Sequence, residues 1–296
     1  MFTPPGFIQR SVTLSLGHVA YIEADPDFWP APPVASQPLV FIHGFGGGSS
    51  SYEWSKVYPA FAADYPVLAP DLLGWGQSDH PDRPLTTVDY EALLAEILHK
   101  LCPEPPMVVA SSLSAALLVR VAIAHPALIR GMFLVTPAGL ADFGQDPSSS
   151  FINQVVKLPL VDQLLYWGAI ATAEGIKLFL AQRQFADASK VSDEMVAAYL
   201  ASAQQPHADV AALAFVRGDL SFDLAVDLPH LTTPTTLLWG EAAQLTDIDT
   251  GRRLAALNST AIRRFEALPG VGLTPQLEVP GVTIGLIQQF LEAMAL

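Results

Sequence analysis

Three short stretches carry residues whose types and spacing could do chemistry. In Val109-Ala110-Ser111-Ser112-Leu113-Ser114-Ala115 an apolar strand pattern runs into an apolar helix through a serine. A nucleophile on so tight a turn needs small residues two positions before and two after it, and Ala110 and Ser114 supply them around Ser112. The Ser112 hydroxyl then stands at the end of the strand, and the Leu113 N–H at the helix N-terminus faces any anion beside it. Serine is also a good N-cap, so Ser112 reads equally as a helix start without chemistry. His43-Gly44-Phe45-Gly46-Gly47-Gly48 also follows a strand pattern, and its glycines let the backbone turn sharply toward a ligand. It reads as a loop offering the Phe45 N–H to an oxyanion or as a plain strand-to-helix turn; its spacing is not a dinucleotide fingerprint. Pro70-Asp71-Leu72-Leu73-Gly74-Trp75-Gly76-Gln77-Ser78-Asp79 is dense in turn formers, and Asp71 there reads as ordering the turn.

The elements that must position these residues are short apolar runs alternating with helical patterns. Leu39–Ile42, Val67–Ala69, Met107–Val109, Met132–Val135 and Thr235–Trp239 read as buried strands. Ser55–Ala63, Tyr90–Lys100 and Ser114–His125 read as helices between them, which implies βαβ units and a mostly parallel sheet. Ile8–Leu14 and Val19–Ile22 suggest an antiparallel hairpin at one edge, Phe28–Gln37 a Pro-rich surface loop, and Val279–Leu296 a closing amphipathic helix. The stretch from Thr136 to Thr235 is far longer than the roughly 30 residues of a simple βαβ unit. Its helical candidates are Phe151–Lys157, Val161–Ala171, Glu174–Gln182, Asp193–Ala203 and Ala208–Arg217, read as an inserted cap. Tyr166, Trp167, Ile170, Ile176, Leu178 and Phe179 exceed what a thin cap needs, so they line a pocket or form a sticky outer face.

Together and in this order, the motifs resemble the α/β-hydrolase superfamily, in its cap-bearing branch of esterases and haloperoxidases. HGFGGGSSSYEW is similar to the oxyanion loop, VLAPDLLGWGQSDHP to the turn after strand 4, and ASSLSAALLVRVAIAHP to the nucleophile elbow and its helix. PTTLLWGE is similar to the strand carrying the catalytic acid, and LPGVGL to the loop carrying the catalytic histidine. The resemblance implies an α/β fold: a mostly parallel eight-stranded sheet flanked by helices, with residues 1–137 and 225–296 as core and 138–224 as helical cap. It also implies Ser112 as nucleophile, Phe45 and Leu113 as oxyanion donors, and His43 and Gly44 as loop support.

Two family positions depart from the pattern. Ala243 stands where the acid is expected and Leu273 where the histidine is expected, and residues 231–296 contain no histidine. A serine hydroxyl is a poor nucleophile unless a base takes its proton, and imidazole also protonates the leaving group. Without it, only oxyanion-hole and binding effects remain, on the order of 10³–10⁴ over water against ~10⁹ for an intact site. His207 in the cap is the candidate stand-in base, and Glu241 and Asp142 are the candidate acids. His125 ends the elbow helix and His230 precedes a strand, both at the wrong end. No His/Cys/Asp/Glu spacing resembles a metal site, and no cofactor is expected.

Composition bounds the rest. The 296 residues are 51% hydrophobic and 15% charged, which excludes a disordered chain or a coiled coil. Net charge is −14, a field that repels nucleic acid and anionic membrane surfaces. Cys102 is the sole cysteine, so no internal disulfide forms; this fits a reducing compartment, cytoplasmic or plastid stroma-like. The start Met1–Pro5 has no secretory pattern, and no apolar, Pro-free run reaches the ~18–20 residues that span a bilayer. Mean hydropathy of +0.35 is high and points to a ligand pocket, an oily docking face or a partner, with peripheral membrane contact left open. Two functions follow. One is a catalytically silent scaffold that binds an apolar small molecule or a protein partner. The other is an esterase-like serine hydrolase that acts on a hydrophobic ester with a non-standard base.

Overall fold

A computed structural model describes residues 2–31, 33–145 and 161–295. The eight strands are β1 (Phe7–Leu14), β2 (Gly17–Ala24), β3 (Leu39–Ile42), β4 (Val67–Pro70), β5 (Met107–Ser111), β6 (Gly131–Val135), β7 (Thr235–Gly240) and β8 (Ile262–Leu268). They form one sheet in the order β1-β2-β4-β3-β5-β6-β7-β8. The β1–β2 and β2–β4 pairs are antiparallel and the other five are parallel, so the hairpin expected from Ile8–Leu14 and Val19–Ile22 does lie at an edge. The central strands β3 to β7 are buried at every residue, as a sheet covered on both faces requires. On one face, α1 (Thr87–Leu101) and α2 (Ser112–Ala124) pack Leu94 and Leu117 onto Val40 and Leu134. On the other, Phe290 and Leu291 of the closing helix join Phe41, Trp54, Tyr58 and Phe133.

The strand order contains the feature that makes a site. From β3 the chain runs to β4 on one side, then crosses to β5 on the other side of β3. The loops leaving β3 and β5 therefore part at their carboxyl ends, the crevice where open α/β sheets bind ligands.

The described part of the stretch between β6 and β7 is mainly helical, broken by turns and by an isolated bridge between Leu140 and Phe222. It holds Val161–Leu165, α3 (Ala173–Phe179), α4 (Asp193–Ala203) and α5 (Ala208–Arg217), and the candidate Phe151–Lys157 lies outside the described residues. Two expected helices, Val161–Ala171 and Glu174–Gln182, end in π-helical turns at Tyr166–Ile170 and Leu180–Gln184. Tyr166, Ile176 and Leu180 are buried in the same core as α1 and α2, whereas Trp167 and Leu178 are 44% and 56% exposed. No single described helix is long and apolar enough to cross a membrane.

Two expectations need correction. Ser55–Ala63 is not a helix but two 3₁₀ turns, Ser51–Trp54 and Tyr58–Phe61; Pro59 lacks the N–H that would continue a helix from the first into the second. Helix α2 begins at Ser112 rather than Ser114. The pair β8 and α6 (Ile248–Ala256) was not read from the pattern, because edge strand β8 exposes Arg263 and Arg264 and so lacks an apolar run.

Strand β7 ends against the last loop with no room to spare: a Cβ on Gly240 would sit 1.9 Å from the Gly272 carbonyl oxygen. Gly240→Ala is expected to destabilise the protein by about 3 kcal/mol, read as a lowered urea midpoint at unchanged slope.

Candidate functional site

Ser112 is the first residue of α2 and has φ of +57°, the left-handed region that costs a β-carbon-bearing residue roughly 1–3 kcal/mol. Strand β5 reverses into the helix at that single residue, leaving the Ser112 side chain half-buried at the carboxyl end of the sheet. The small neighbours have visible reasons. Ala110 is fully buried in β5, and the Ser114 hydroxyl donates to the His43 carbonyl at 2.5 Å, leaving no space for a larger side chain. Gly44 faces the elbow directly, and a Cβ there would stand 3.3 Å from both Ser111 Oγ and Ser112 Cβ.

His43 braces this loop. Its Nε2 accepts from the Leu72 N–H at 2.9 Å, which places the ring proton on Nδ1, where it donates to the Gly44 carbonyl at 2.6 Å. Both ring nitrogens are engaged, and His43 is fully buried, so it is not free to act as a base. The Phe45 ring packs edge-on against Trp75 and Tyr90. Among the described residues, neither the Phe45 N–H nor the Leu113 N–H donates to a protein acceptor, and the Ser112 hydroxyl has no hydrogen-bond partner. Asp71 orders its turn by accepting from Ser51 N–H at 2.6 Å and Gln77 N–H at 2.8 Å.

Glu53 was not singled out from the sequence, and it is the nearest carboxylate to this turn that the contacts reveal. It is 2% exposed. Its Oε2 accepts the Gly44 N–H at 2.9 Å and lies 3.5 Å from Ser111 Oγ; its Oε1 receives the Tyr199 hydroxyl at 3.3 Å. Tyr199 belongs to α4, so one carboxylate joins the loop after β3, the elbow and the insertion. Burial, then the charge of Glu53, pushes the Tyr199 phenol well above its usual value. The same hydroxyl lies 3.3 Å from Gln184 Oε1. The signal in the sequence was weak: a glutamate between two aromatics, Tyr52 and Trp54, with no motif around it.

The two departing positions lie at one corner. Ala243 is buried in the turn after β7, its N–H bonded to the Gly240 carbonyl. Leu273 is buried too, and its N–H donates to the Gln184 carbonyl at 2.7 Å. Glu278 fastens the same corner by accepting from the N–H groups of Ala186, Asp187 and Gly272 at 3.1, 2.9 and 2.7 Å. Nearby Gln276 is 0% exposed with both amide atoms unpartnered among the described residues. Its short helix, Pro275–Glu278, packs against the turn that carries Glu53.

The candidate stand-ins lie in other settings. His207 is exposed at the start of α5 and close enough to His80 to act on its charge. His125 and His230 are exposed at the ends of α2 and of a turn before β7. Glu241 is exposed. Asp142 is buried and accepts from the Gly139 and Leu224 N–H groups at 3.0 and 2.9 Å, the arrangement of a turn brace. Among the described residues no three His, Cys, Asp or Glu side chains could hold a metal ion. Burial pushes the Cys102 thiol up to about 12, so the cysteine is unreactive at neutral pH.

With this geometry established, comparison with known proteins defines the class. A model of the alpha/beta hydrolase family matches residues 39–285, and the chain belongs to that family. An uncharacterized protein of Mycobacterium tuberculosis is 30% identical over 130 residues, 42% of this chain and 38% of its own length. The 2-hydroxymuconate semialdehyde hydrolase of a Pseudomonas species is 29% identical over 142 residues, 44% of this chain and 50% of that one. The chain thus spans half or less of the length of these relatives. A solved serine hydrolase involved in carbazole degradation superposes with a TM-score of 0.76 at 22% identity, over 97% of this chain and 99% of that one, which shows the shared fold.

Burial raises the Asp142 carboxyl to about 6, overriding the backbone N–H groups of Leu224, Gly139 and Leu140. A raised acid binds its proton more tightly in the folded state. The stability it contributes is complete below about pH 4 and is lost as pH rises through about 6. Between pH 4 and pH 7 the wild type is expected to lose about 2–3 kcal/mol relative to D142N, measured by urea unfolding of both proteins at each pH.

Proposed function

We propose that this family member acts as a catalytically silent binding protein. In this reading residues 138–224 serve as a cap, and an apolar small molecule sits between it and the elbow. Its polar end meets the Phe45 and Leu113 N–H groups, the pair that would otherwise form an oxyanion hole. The observation that carries the reading is the setting of Leu273. Where the family pattern expects an imidazole there is an aliphatic side chain, buried beneath the insertion and tied by its N–H to Gln184. No histidine among the described residues reaches the Ser112 hydroxyl by a hydrogen bond, and His43 is committed to its loop. A serine so placed has no acceptor for its proton and no acid for its leaving group. Glu53 adds to this, because a buried carboxylate bonded to Gly44 opposes negative charge building on the next N–H of the loop.

One observation favours the alternative, an esterase-like hydrolase acting on a hydrophobic ester. The strained backbone sits at Ser112, the first helical residue, which an ordinary helix start does not require; the N-cap is Ser111, and it makes no side-chain cap bond. The hydrolase names of several relatives point the same way.

A fluorophosphonate probe separates the two. Labelling at Ser112, read by intact mass, is expected to run at least ~10³-fold slower than for an ordinary serine esterase, with a p-nitrophenyl ester panel also negative. Brisk labelling that vanishes in Ser112→Ala would overturn the silent reading.

A further inference from the structure

The silent-binder reading leaves open what chemical class of ligand the site accepts, and Glu53 bears on that question. Its carboxylate is 2% exposed, forms no salt bridge among the described residues, and is approached by the Gly44 N–H, the Tyr199 hydroxyl and the Ser111 hydroxyl. Every one of these groups is able to donate, the pattern an ionised carboxylate asks for. Its Oε2 is 2.9 Å from the Gly44 nitrogen, and the Phe45 nitrogen is the next along the chain, about 3 Å further by peptide geometry. An atom hydrogen-bonded to the Phe45 N–H therefore lies roughly 7 Å from the carboxylate. At an effective dielectric constant of about 20, two like charges at that separation disfavour binding about 50-fold.

A second, independent observation concerns unmet hydrogen bonds. Gln276 is fully buried on the short helix that packs against the turn carrying Glu53, and its amide lacks both a donor and an acceptor partner. Ser49 Oγ, 3.3 Å from where a Gly46 Cβ would be, is likewise buried and unpartnered. The N–H side of that amide is met by any ligand carbonyl oxygen, and its oxygen by a ligand N–H, so an uncharged amide head meets both and a ketone or ester meets the first.

We infer that Glu53 is a charge selector: it restricts the elbow site to apolar ligands with a neutral polar head, such as a ketone, ester or amide, and excludes carboxylates and phosphates. The inference rests on the silent-binder reading and supplies its ligand class. Phe179 and Ile170 of the insertion supply apolar contact, lying 3.8 and 2.8 Å from where Cβ atoms of Gly46 and Gly47 would be.

The test is calorimetric titration of the full chain with three molecules that share an unbranched alkyl chain: 2-octanone, heptanoate and heptylammonium. Wild type is expected to bind the ketone at least about 50-fold more tightly than the carboxylate. Heptylammonium is expected to bind more tightly than heptanoate, a difference that desolvation of charge alone does not produce. In E53Q the ketone-to-carboxylate ratio should fall below about 10-fold, while E53D keeps it. Equal affinities for the two charged ligands, an unchanged ratio in folded E53Q, or no binding of any of the three overturns the inference. Should E53Q lose its cooperative melt, the ammonium-to-carboxylate order in wild type decides. Fast fluorophosphonate labelling of Ser112 with the charge preference intact would remove the silent reading and leave Glu53 as selector.

Discussion

The site depends on how closely one turn can approach another. Strand β5 becomes helix α2 at Ser112 without a connecting loop, and the left-handed backbone this requires is tolerated only because its surroundings hold it. Gly44 presents no side chain to the turn, Ser114 bonds the His43 carbonyl, and His43 is pinned between Gly44 and the Leu72 N–H. Apart from the bond between His43 and its neighbour Gly44, these contacts join loops from different strands, so the elbow exists only once β3, β4 and β5 lie side by side. The topology supplies that adjacency: β5 returns to the open side of β3 after the chain has visited β4.

Glu53 gives the same contact its electrostatic character. A hydrolytic oxyanion site concentrates donors and keeps negative charge away, so that charge developing in the transition state meets only positive ends of dipoles. Here a buried carboxylate takes the Gly44 N–H, one residue before the N–H that would serve an oxyanion. The arrangement suits a neutral carbonyl better than an alkoxide. It also makes the insertion a participant, since Tyr199 closes over the same oxygen pair and Gln184 over Tyr199.

The scaffold was legible in the sequence because its signals are local. Buried runs such as Leu39–Ile42 and Met107–Val109 read as strands from composition alone, and the hairpin of β1 and β2 from alternation. Edge strand β8 escaped because arginines replace the apolar run, and Ser55–Ala63 misled because its apolar spacing mimics a helix that Pro59 interrupts. The place of Ser112 on the strand-to-helix turn was legible through the small residues that flank it. Glu53 was not, since its role arises from partners 9, 58 and 146 positions away. No pattern of spacing announces a carboxylate whose importance lies in where the chain brings it.

The corner around Leu273 has an evolutionary consequence. Ala243 and Leu273 are both buried, and the main chain there is stitched to the insertion through Gln184 and Glu278. An imidazole introduced alone at 273 would be a dry polar ring lacking its orienting acid, and an aspartate introduced alone at 243 would be a dry charge lacking its imidazole. Each of these single replacements costs folding free energy. In the silent-binder reading proposed above, repair in either order begins with that cost, and the departure acts as a ratchet.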